Sequence, residues 1–139
     1  MSSKLLEGVR PRGRLHVCDG FFDRYPRIRL IVPHLRDSLP YLAARLDNGF
    51  RAHPACREYI ADPPSTYLKR LYYDSVSFHV LALECGIAAV SADRLVLGSG
   101  SPHVIGGMAS AMRSAIDLGV DRATKKAIFD GNTQRMLGW

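Results

Sequence analysis

The sequence places ionisable or hydroxyl side chains directly behind three apolar runs. His34 follows the first run, residues 74–79 follow the second, and residues 99–103 follow the third. In parallel β/α proteins the functional groups lie at the C-terminal ends of the strands. A neutral imidazole at such a position can act as a general acid or base near neutral pH, or bind a metal ion. His34 is therefore the leading candidate for chemistry, with a histidine satisfied by backbone groups as the alternative.

Other candidates have weaker positional claims. Asp74 could be a catalytic carboxylate, but a turn or capping role explains it equally well. His103, beside Pro102, could lie near His34 at the C-terminal ends of the strands, or it could be an ordinary loop residue. Ser99, His34 and Asp74 could form a hydrolytic triad, but the sequence has no GxSxG motif to support one. His16 and His53 do not follow strands, so we assign them no role.

Composition narrows the class of protein. The chain has 139 residues, is 47% hydrophobic and 23% charged, and fits one folded domain. Its formal charge of +6 is not accompanied by an RNP-like pattern, a zinc finger or a helix-turn-helix, so no nucleic-acid partner is expected. No apolar run reaches the roughly 18 residues that a membrane span needs. The N-terminal residues lack the apolar core of a secretory signal, so a cytoplasmic location is expected.

The cysteine content supports the same location. The three cysteines, Cys18, Cys56 and Cys85, are odd in number, lie far apart and form no CxxC pair. This pattern favours reduced thiols over a disulfide framework or a cysteine zinc site. None has an activating partner nearby in the sequence, so all three are predicted to be unreactive.

The elements that must position these residues alternate along the chain. Strands are predicted over residues 27–32, 71–76 and 94–99, and helices over residues 39–46, 66–70, 79–90 and 108–118. Gly49 is predicted to stop the first of these helices, and Asp121 to cap a last helix that Gly131 interrupts before residues 132–137. Alternating strands and helices imply parallel β/α units joined by right-handed crossovers.

Three β/α units are too few to close a barrel of eight. Alone they would leave two open sheet edges beside a large apolar surface. The predicted fold is therefore α/β, an incomplete part of a larger barrel or an oligomer that covers its own edge. Residues 1–14 are predicted to form an irregular basic arm, and residues 15–139 the domain itself.

An ordered series of motifs from about residue 15 to the end resembles the amidohydrolase-related family. The resemblance is strongest to its decarboxylase branch, which includes aminocarboxymuconate-semialdehyde and resorcylate decarboxylases. The motifs are Gly20-Phe21-Phe22-Asp23-Arg24-Tyr25-Pro26, Pro33-His34, Leu39-Pro40-Tyr41-Leu42 with Arg45-Leu46-Asp47, Pro63 to Arg70, Tyr72-Tyr73-Asp74-Ser75, Asp93 to Ser99, and Gly131-Asn132 to Leu137-Gly138. A series in one order is more specific than any single motif.

The resemblance implies a (β/α)-barrel with one catalytic divalent metal, usually zinc. Its ligands would be an HxH pair on the first strand, a histidine on the fifth and an aspartate after the eighth. The reaction would be loss of CO₂ from an unsaturated or aromatic carboxylic acid, assisted by a metal-activated water. His34 matches the sixth-strand histidine that acts as acid/base. Arg45 matches an arginine that binds a substrate carboxylate in a neighbouring subunit, which implies an oligomer.

The departures from the family pattern are substantial. Gly100 stands where the family has its metal-binding aspartate, and Phe78-His79-Val80 replaces His-Asp-Pro. Leu35-Arg36-Asp37 occupies a position where the family has glycines. The HxH pair and the fifth-strand histidine have no counterpart in these residues. No metal ligand is therefore assigned, although substitution by His103 or Asp37 stays open.

The sequence thus predicts the C-terminal three β/α units of such a barrel, as a fragment or a degenerate member of the family. We expect no activity from this chain alone, and whether it belongs to a working enzyme is left open. The expected partners are a small carboxylic acid and either further copies or a complementing chain, but no membrane. The alternatives are a non-catalytic subunit that completes another half-barrel and the remnant of a split gene.

Overall fold

The computed structural model describes residues 17–36 and 38–139. The predicted basic arm, His16 and Asp37 lie outside the described residues. The strands are β1 (Ile31–Val32), β2 (Tyr72–Asp74) and β3 (Leu95–Val96). The α-helices are α1 (Phe21–Arg24), α2 (Leu39–Ala52), α3 (Pro64–Leu68), α4 (Val80–Val90), α5 (Met108–Ile116), α6 (Arg122–Lys126) and α7 (Asn132–Leu137). Shorter 3₁₀ turns are His34–Arg36, Pro54–Arg57 and Ala92–Arg94, and Ala127–Gly131 is a π-type segment.

The chain divides into two compact units. One comprises residues 42–68 with the segment that ends at Ile28, and the other comprises residues 29–41 and 69–139. In the first unit, Tyr67 is fully buried and its ring lies 6.3 Å from that of Phe22. The Tyr67 hydroxyl donates to the Asp23 carboxylate at 2.8 Å and accepts from the amides of Ala61 and Asp62. A buried phenol is thereby fully satisfied, which ties three segments of this unit together.

The second unit contains a parallel sheet in the order β1-β2-β3. Ile31 pairs with Tyr72 and Tyr73 pairs with Leu95. Right-handed crossovers bring consecutive parallel strands side by side, which is the order seen here. The prediction of parallel β/α units, with the sheet left open, is confirmed.

The helices of the second unit bury small and branched side chains. Helix α4 packs against helix α5. Leu83, Ala111 and Ala115 are fully buried, as is Ile128 in the π-type segment. None of the helices in the described part of the chain is long and apolar enough to cross a bilayer.

Several predicted boundaries were wrong. Helix α2 continues through Gly49 to Ala52, because a Cβ-free residue inside a helix weakens it without ending it. All three strands are shorter than predicted, since the paired register covers only two or three residues of each. The other helices are confirmed within about two residues.

The end of the chain confirms one predicted cap and corrects one predicted break. The Asp121 carboxylate accepts from the Thr124 amide at 2.9 Å and caps helix α6. Gly131 does not interrupt the helix but closes the π-type segment that leads into helix α7. The buried Asn132 amide then donates to the carbonyls of Ala92 and Leu95, which fastens helix α7 to the start of β3.

Candidate functional site

His34 lies where the sequence predicts it, directly beyond the carboxyl end of β1, and its side chain is exposed. The backbone there is unusual. His34, Leu35 and Arg36 have φ angles of 56°, 52° and 57°, so three consecutive non-glycine residues are left-handed. The Arg36 amide donates to the Pro33 carbonyl at 2.8 Å and closes the turn. A glycine would adopt this conformation without strain, which fits the glycines that the family resemblance places at this segment.

Asp74, at the end of β2, holds this turn. Its Oδ1 accepts from the His34 amide at 2.6 Å and from the Val76 amide at 3.1 Å. The carboxylate therefore joins the ends of two neighbouring strands. Of the two roles that the sequence left open for Asp74, these contacts favour the turn-holding role.

The proposed hydrolytic triad is not formed. Asp74 contacts the backbone nitrogen of His34, and no hydrogen bond between described residues joins the His34 ring to Asp74 or to Ser99. The Ser99 hydroxyl instead accepts from the Ser101 amide at 3.2 Å. The geometry therefore gives no support to serine-based chemistry.

The exit of β3 is packed closely against β2. The Ser75 hydroxyl is fully buried and accepts from the Gly98 amide at 3.1 Å. A Cβ placed on Gly98 would lie 2.9 Å from the Cβ of Asp74. Because any side chain at position 98 would overlap Asp74, the glycine leaves the space in which the Asp74 side chain lies.

Gly100 is left-handed, with φ +68°, and is crowded on two sides. A Cβ at this position would lie 3.0 Å from Cγ1 of Val76 and 3.2 Å from Cα of Gly106. The loop beyond it closes through hydrogen bonds from the His103 amide to Gly100 and from the Gly107 amide to Ser99. The position that the resemblance assigns to a metal-binding aspartate is thus built for a residue without a side chain.

The remaining candidates are dispersed. His103 lies exposed in the loop after β3, and His53 is exposed beyond helix α2. Arg45 is exposed on helix α2 and makes no hydrogen bond or ion pair with any described residue. A substrate-binding or intersubunit role for Arg45 stays a prediction, as does the acid/base role of His34.

The cysteines are free thiols, as predicted. Burial is the main cause that raises the pKa of the Cys18 thiol from 9.0 to about 11, with further contributions from Cys56 and Asp19. A thiol with so high a pKa is protonated at neutral pH and is a poor nucleophile. Burial likewise raises the pKa of the Tyr73 phenol in β2, so this group stays neutral.

The described residues do not fit a metal site of the family type. Within residues 17–36 and 38–139, no group of three or more His, Cys, Asp or Glu side chains is arranged to hold a metal ion. Catalytic divalent sites in barrels commonly use three or more protein ligands, so these residues would need ligands from elsewhere.

Two structural features of this site were not assigned from the sequence. Ser75 was part of a recognised motif but received no role, although a buried hydroxyl after a strand signals a backbone contact. Gly106 also received no role, whereas it contacts Gly100 in the loop after β3. The double glycine itself was the available signal, since glycines mark close backbone approach.

Comparison with known proteins places this geometry in a family. The profile of a family described as amidohydrolase matches residues 11–139. A curated relative, 2-amino-3-carboxymuconate-6-semialdehyde decarboxylase of Dictyostelium discoideum, is 24% identical over 138 residues, which are 96% of this chain and 38% of the relative.

Solved structures agree with the sequence match. A dihydroxybenzoic acid decarboxylase from a Polaromonas species, determined with manganese and the inhibitor 2-nitroresorcinol, matches with a TM-score of 0.76 and 25% identity. That match covers 88% of this chain and 37% of the other. A 2,6-dihydroxybenzoate decarboxylase from Rhizobium matches with a TM-score of 0.76 and 22% identity, over 99% of this chain and 42% of the other.

The chain thus spans roughly two fifths of the length of the relatives it matches. The predicted resemblance to this family and to its decarboxylases is confirmed. With a profile match over residues 11–139, the chain belongs to the amidohydrolase family.

Proposed function

We propose that this chain contributes the His34-bearing part of a divalent-metal-dependent decarboxylase that acts on small aromatic or unsaturated carboxylic acids. The main support is the position of His34, exposed at the carboxyl end of β1 beside the end of the neighbouring strand β2. Further support comes from the relatives, whose names describe decarboxylases, one of them determined with manganese. These 139 residues alone are proposed to be inactive.

The chemistry needed from His34 is a proton transfer. When the bond between a substrate carbon and its carboxylate breaks, CO₂ leaves and the electron pair stays on that carbon. The carbon must then take up a proton, and an imidazole is the side chain best suited to supply one near neutral pH. His34 would deliver this proton and be reprotonated from solvent, to which it is exposed.

Arg45 is proposed to bind a substrate carboxylate. A guanidinium can hold a carboxylate through two parallel hydrogen bonds. The exposed position of Arg45 on helix α2, without a partner among the described residues, leaves its donors available to a ligand. Because it lies outside the turn that holds His34, we propose that it serves the active site of a neighbouring subunit.

The metal is proposed to depend on ligands from outside the described residues. Gly100 provides no donor at the position where the family resemblance expects a carboxylate. His34 alone would hold a divalent ion only weakly. A divalent ion held there would supply Lewis-acid chemistry, and no step by residues of this chain is assigned through it.

The partner is proposed to be a set of further β/α units that continues the sheet. Among the described residues, strand β1 has one strand neighbour, β2, and Ile31 on its other edge is 45% exposed. Met108, Met112 and Ile116 form an exposed apolar stripe along helix α5. Size-exclusion chromatography with light scattering should give an assembly larger than 15.4 kDa, and a stable monomer of that mass would contradict this part of the proposal.

A fusion protein tests the catalytic proposal. The front part of the Rhizobium 2,6-dihydroxybenzoate decarboxylase would be joined to residues 17–139 of this chain, which keeps Asp23 with Tyr67. Two fusions would be made, one with residues 98–107 of this chain and one in which the relative's own loop replaces them. We expect turnover of 2,6-dihydroxybenzoate with Mn²⁺ only in the fusion with the replaced loop. In that fusion His34→Ala should lower kcat by about 10² to 10⁴-fold.

His53→Ala is the matched control, because His53 is also exposed but lies far along the sequence from any strand end. It should leave kcat of the active fusion unchanged. Full activity of the His34→Ala fusion would refute the acid/base role of His34.

A further inference from the structure

The turn His34–Arg36 needs contacts from other parts of the chain to keep its conformation. A left-handed backbone brings the Cβ of an L-residue close to its own carbonyl oxygen, so residues other than glycine disfavour it. Here three such residues follow one another. The turn's own hydrogen bond, from the Arg36 amide to Pro33, fixes its ends and leaves the His34 amide for another acceptor. Strained backbone of this kind persists only where surrounding contacts determine it.

The Asp74 carboxylate provides one such contact. Its Oδ1 lies 2.6 Å from the His34 nitrogen, a short distance for an amide donor and typical of a charge-assisted hydrogen bond. The same oxygen accepts from Val76, and the space for the side chain is left by Gly98. One side chain thus touches the exits of all three strands.

Leu35 provides the second contact. Its side chain is buried, with 5% exposure, and packs over Gly86 in the middle of helix α4. A Cβ on Gly86 would lie 3.1 Å from Cδ2 of Leu35, so the glycine forms a notch for this leucine. The left-handed turn directs Leu35 into the helix layer while His34, its neighbour, stays exposed.

We propose that Asp74 is the positioning residue for His34, with the Leu35–Gly86 contact as its second support. The carboxylate holds the His34 amide, and through it the backbone from which the imidazole extends. The purpose of this positioning, proton transfer by His34, rests on the proposed function. The hydrogen bond from the His34 amide to Asp74 is a feature of the fold and does not depend on that function. Asp74 is thereby assigned no proton-transfer step.

NMR spectroscopy of the ¹⁵N-labelled chain tests the hold without any assay of activity. Positive φ brings the amide proton of a residue close to its own Hα, so His34 should show a strong intraresidue cross-peak. In Asp74→Ala that cross-peak should weaken, and the amides of His34 and Val76 should exchange at least about tenfold faster. Asp117→Ala is the control, because this exposed carboxylate has no hydrogen-bond partner among the described residues.

Asp74→Asn separates positioning from general loss of structure. An asparagine keeps an acceptor oxygen in the same place, so the strong His34 cross-peak should return. The His34 amide proton should move upfield, because a neutral oxygen is a weaker acceptor than a carboxylate.

Two results would overturn the inference. One is a His34 cross-peak and exchange rate unchanged in both Asp74 variants. The other is that Asp74→Asn loses the left-handed geometry of His34 as severely as Asp74→Ala does. In that case the Leu83 amide in the core must still be protected from exchange, which shows that the variant is folded. Because these are measurements on backbone signals, they are independent of whether the fusion enzyme turns over.

Discussion

Gly100 and Gly106 lie in direct backbone contact beyond the end of β3. A Cβ on Gly106 would overlap the carbonyl group of Gly100, and a Cβ on Gly100 would press on Cα of Gly106. Neither position accepts a side chain without movement of the loop. The loop is therefore closed by glycine packing at the position where the family resemblance assigns a metal-binding carboxylate.

The crowding at Gly100 predicts the effect of adding a methyl group. Gly100→Ala should lower the free energy of unfolding by about 2 kcal/mol, because alanine disfavours positive φ and would crowd Val76 and Gly106. Gly49→Ala is the matched control. Gly49 is helical with open space around it, so the same change should stabilise by about 1 kcal/mol. Urea denaturation of both variants measures the difference, and equal effects would disprove the crowding.

The order of strands and helices was accessible from the sequence, because each apolar run was bounded by turn residues. The left-handed turn at His34 was not, since leucine and arginine have no preference for positive φ. That geometry depends on Asp74, which lies 40 residues further along the chain. The prediction that Gly49 stops helix α2 was wrong because it relied on the residue type alone. A glycine ends a helix only where the chain turns away, and at Gly49 the helix continues to Ala52.

Ser91 is a second strained position that the sequence did not reveal. It follows helix α4 with φ 91° and ψ 148°, a region in which glycine is strongly favoured. Ser91→Gly should raise the free energy of unfolding by about 1 kcal/mol. Ala88→Gly, at an exposed position inside the same helix, should lower it by about the same amount. Thermal denaturation distinguishes the two, and destabilisation by Ser91→Gly would contradict the strain.

The Tyr67 hydroxyl is predicted to stabilise the first unit. Tyr67→Phe leaves the ring packed but removes the donor to Asp23 and the acceptor for two amides. The expected loss is about 1–3 kcal/mol in urea denaturation. Tyr25→Phe, with a ring that is 55% exposed, should change stability by less than about 0.5 kcal/mol. Similar losses in both variants would show that the network is not important.

Cys18 is predicted to react slowly with alkylating reagents. Its pKa, raised by burial to about 11, leaves few thiolates at pH 8. Iodoacetamide should therefore modify Cys18 about 100-fold more slowly than the exposed Cys85, as followed by peptide mass spectrometry. Modification of Cys18 at a rate within about threefold of Cys85 would contradict its burial.

The same pKa predicts a loss of stability in alkali. A folded-state pKa above the ordinary value means that the folded protein holds the proton more tightly than the unfolded chain. The contribution of the Cys18 thiol to the free energy of unfolding is therefore present below pH 9.0 and is lost as the pH rises to about 11. It amounts to at most about 2–3 kcal/mol. Cys18→Ala should flatten this part of the pH profile, and an unchanged profile would assign the loss to other groups.

The central claim is that these residues carry the acid/base histidine of a family whose metal they cannot hold alone. Metal analysis after equilibration with excess Mn²⁺ and desalting tests it most directly. The account predicts much less than one equivalent of manganese, both in the parent chain and in Gly100→Asp, because the crowded loop gives an added carboxylate no free space. One equivalent retained by the parent chain, and lost on His34→Ala, would contradict it.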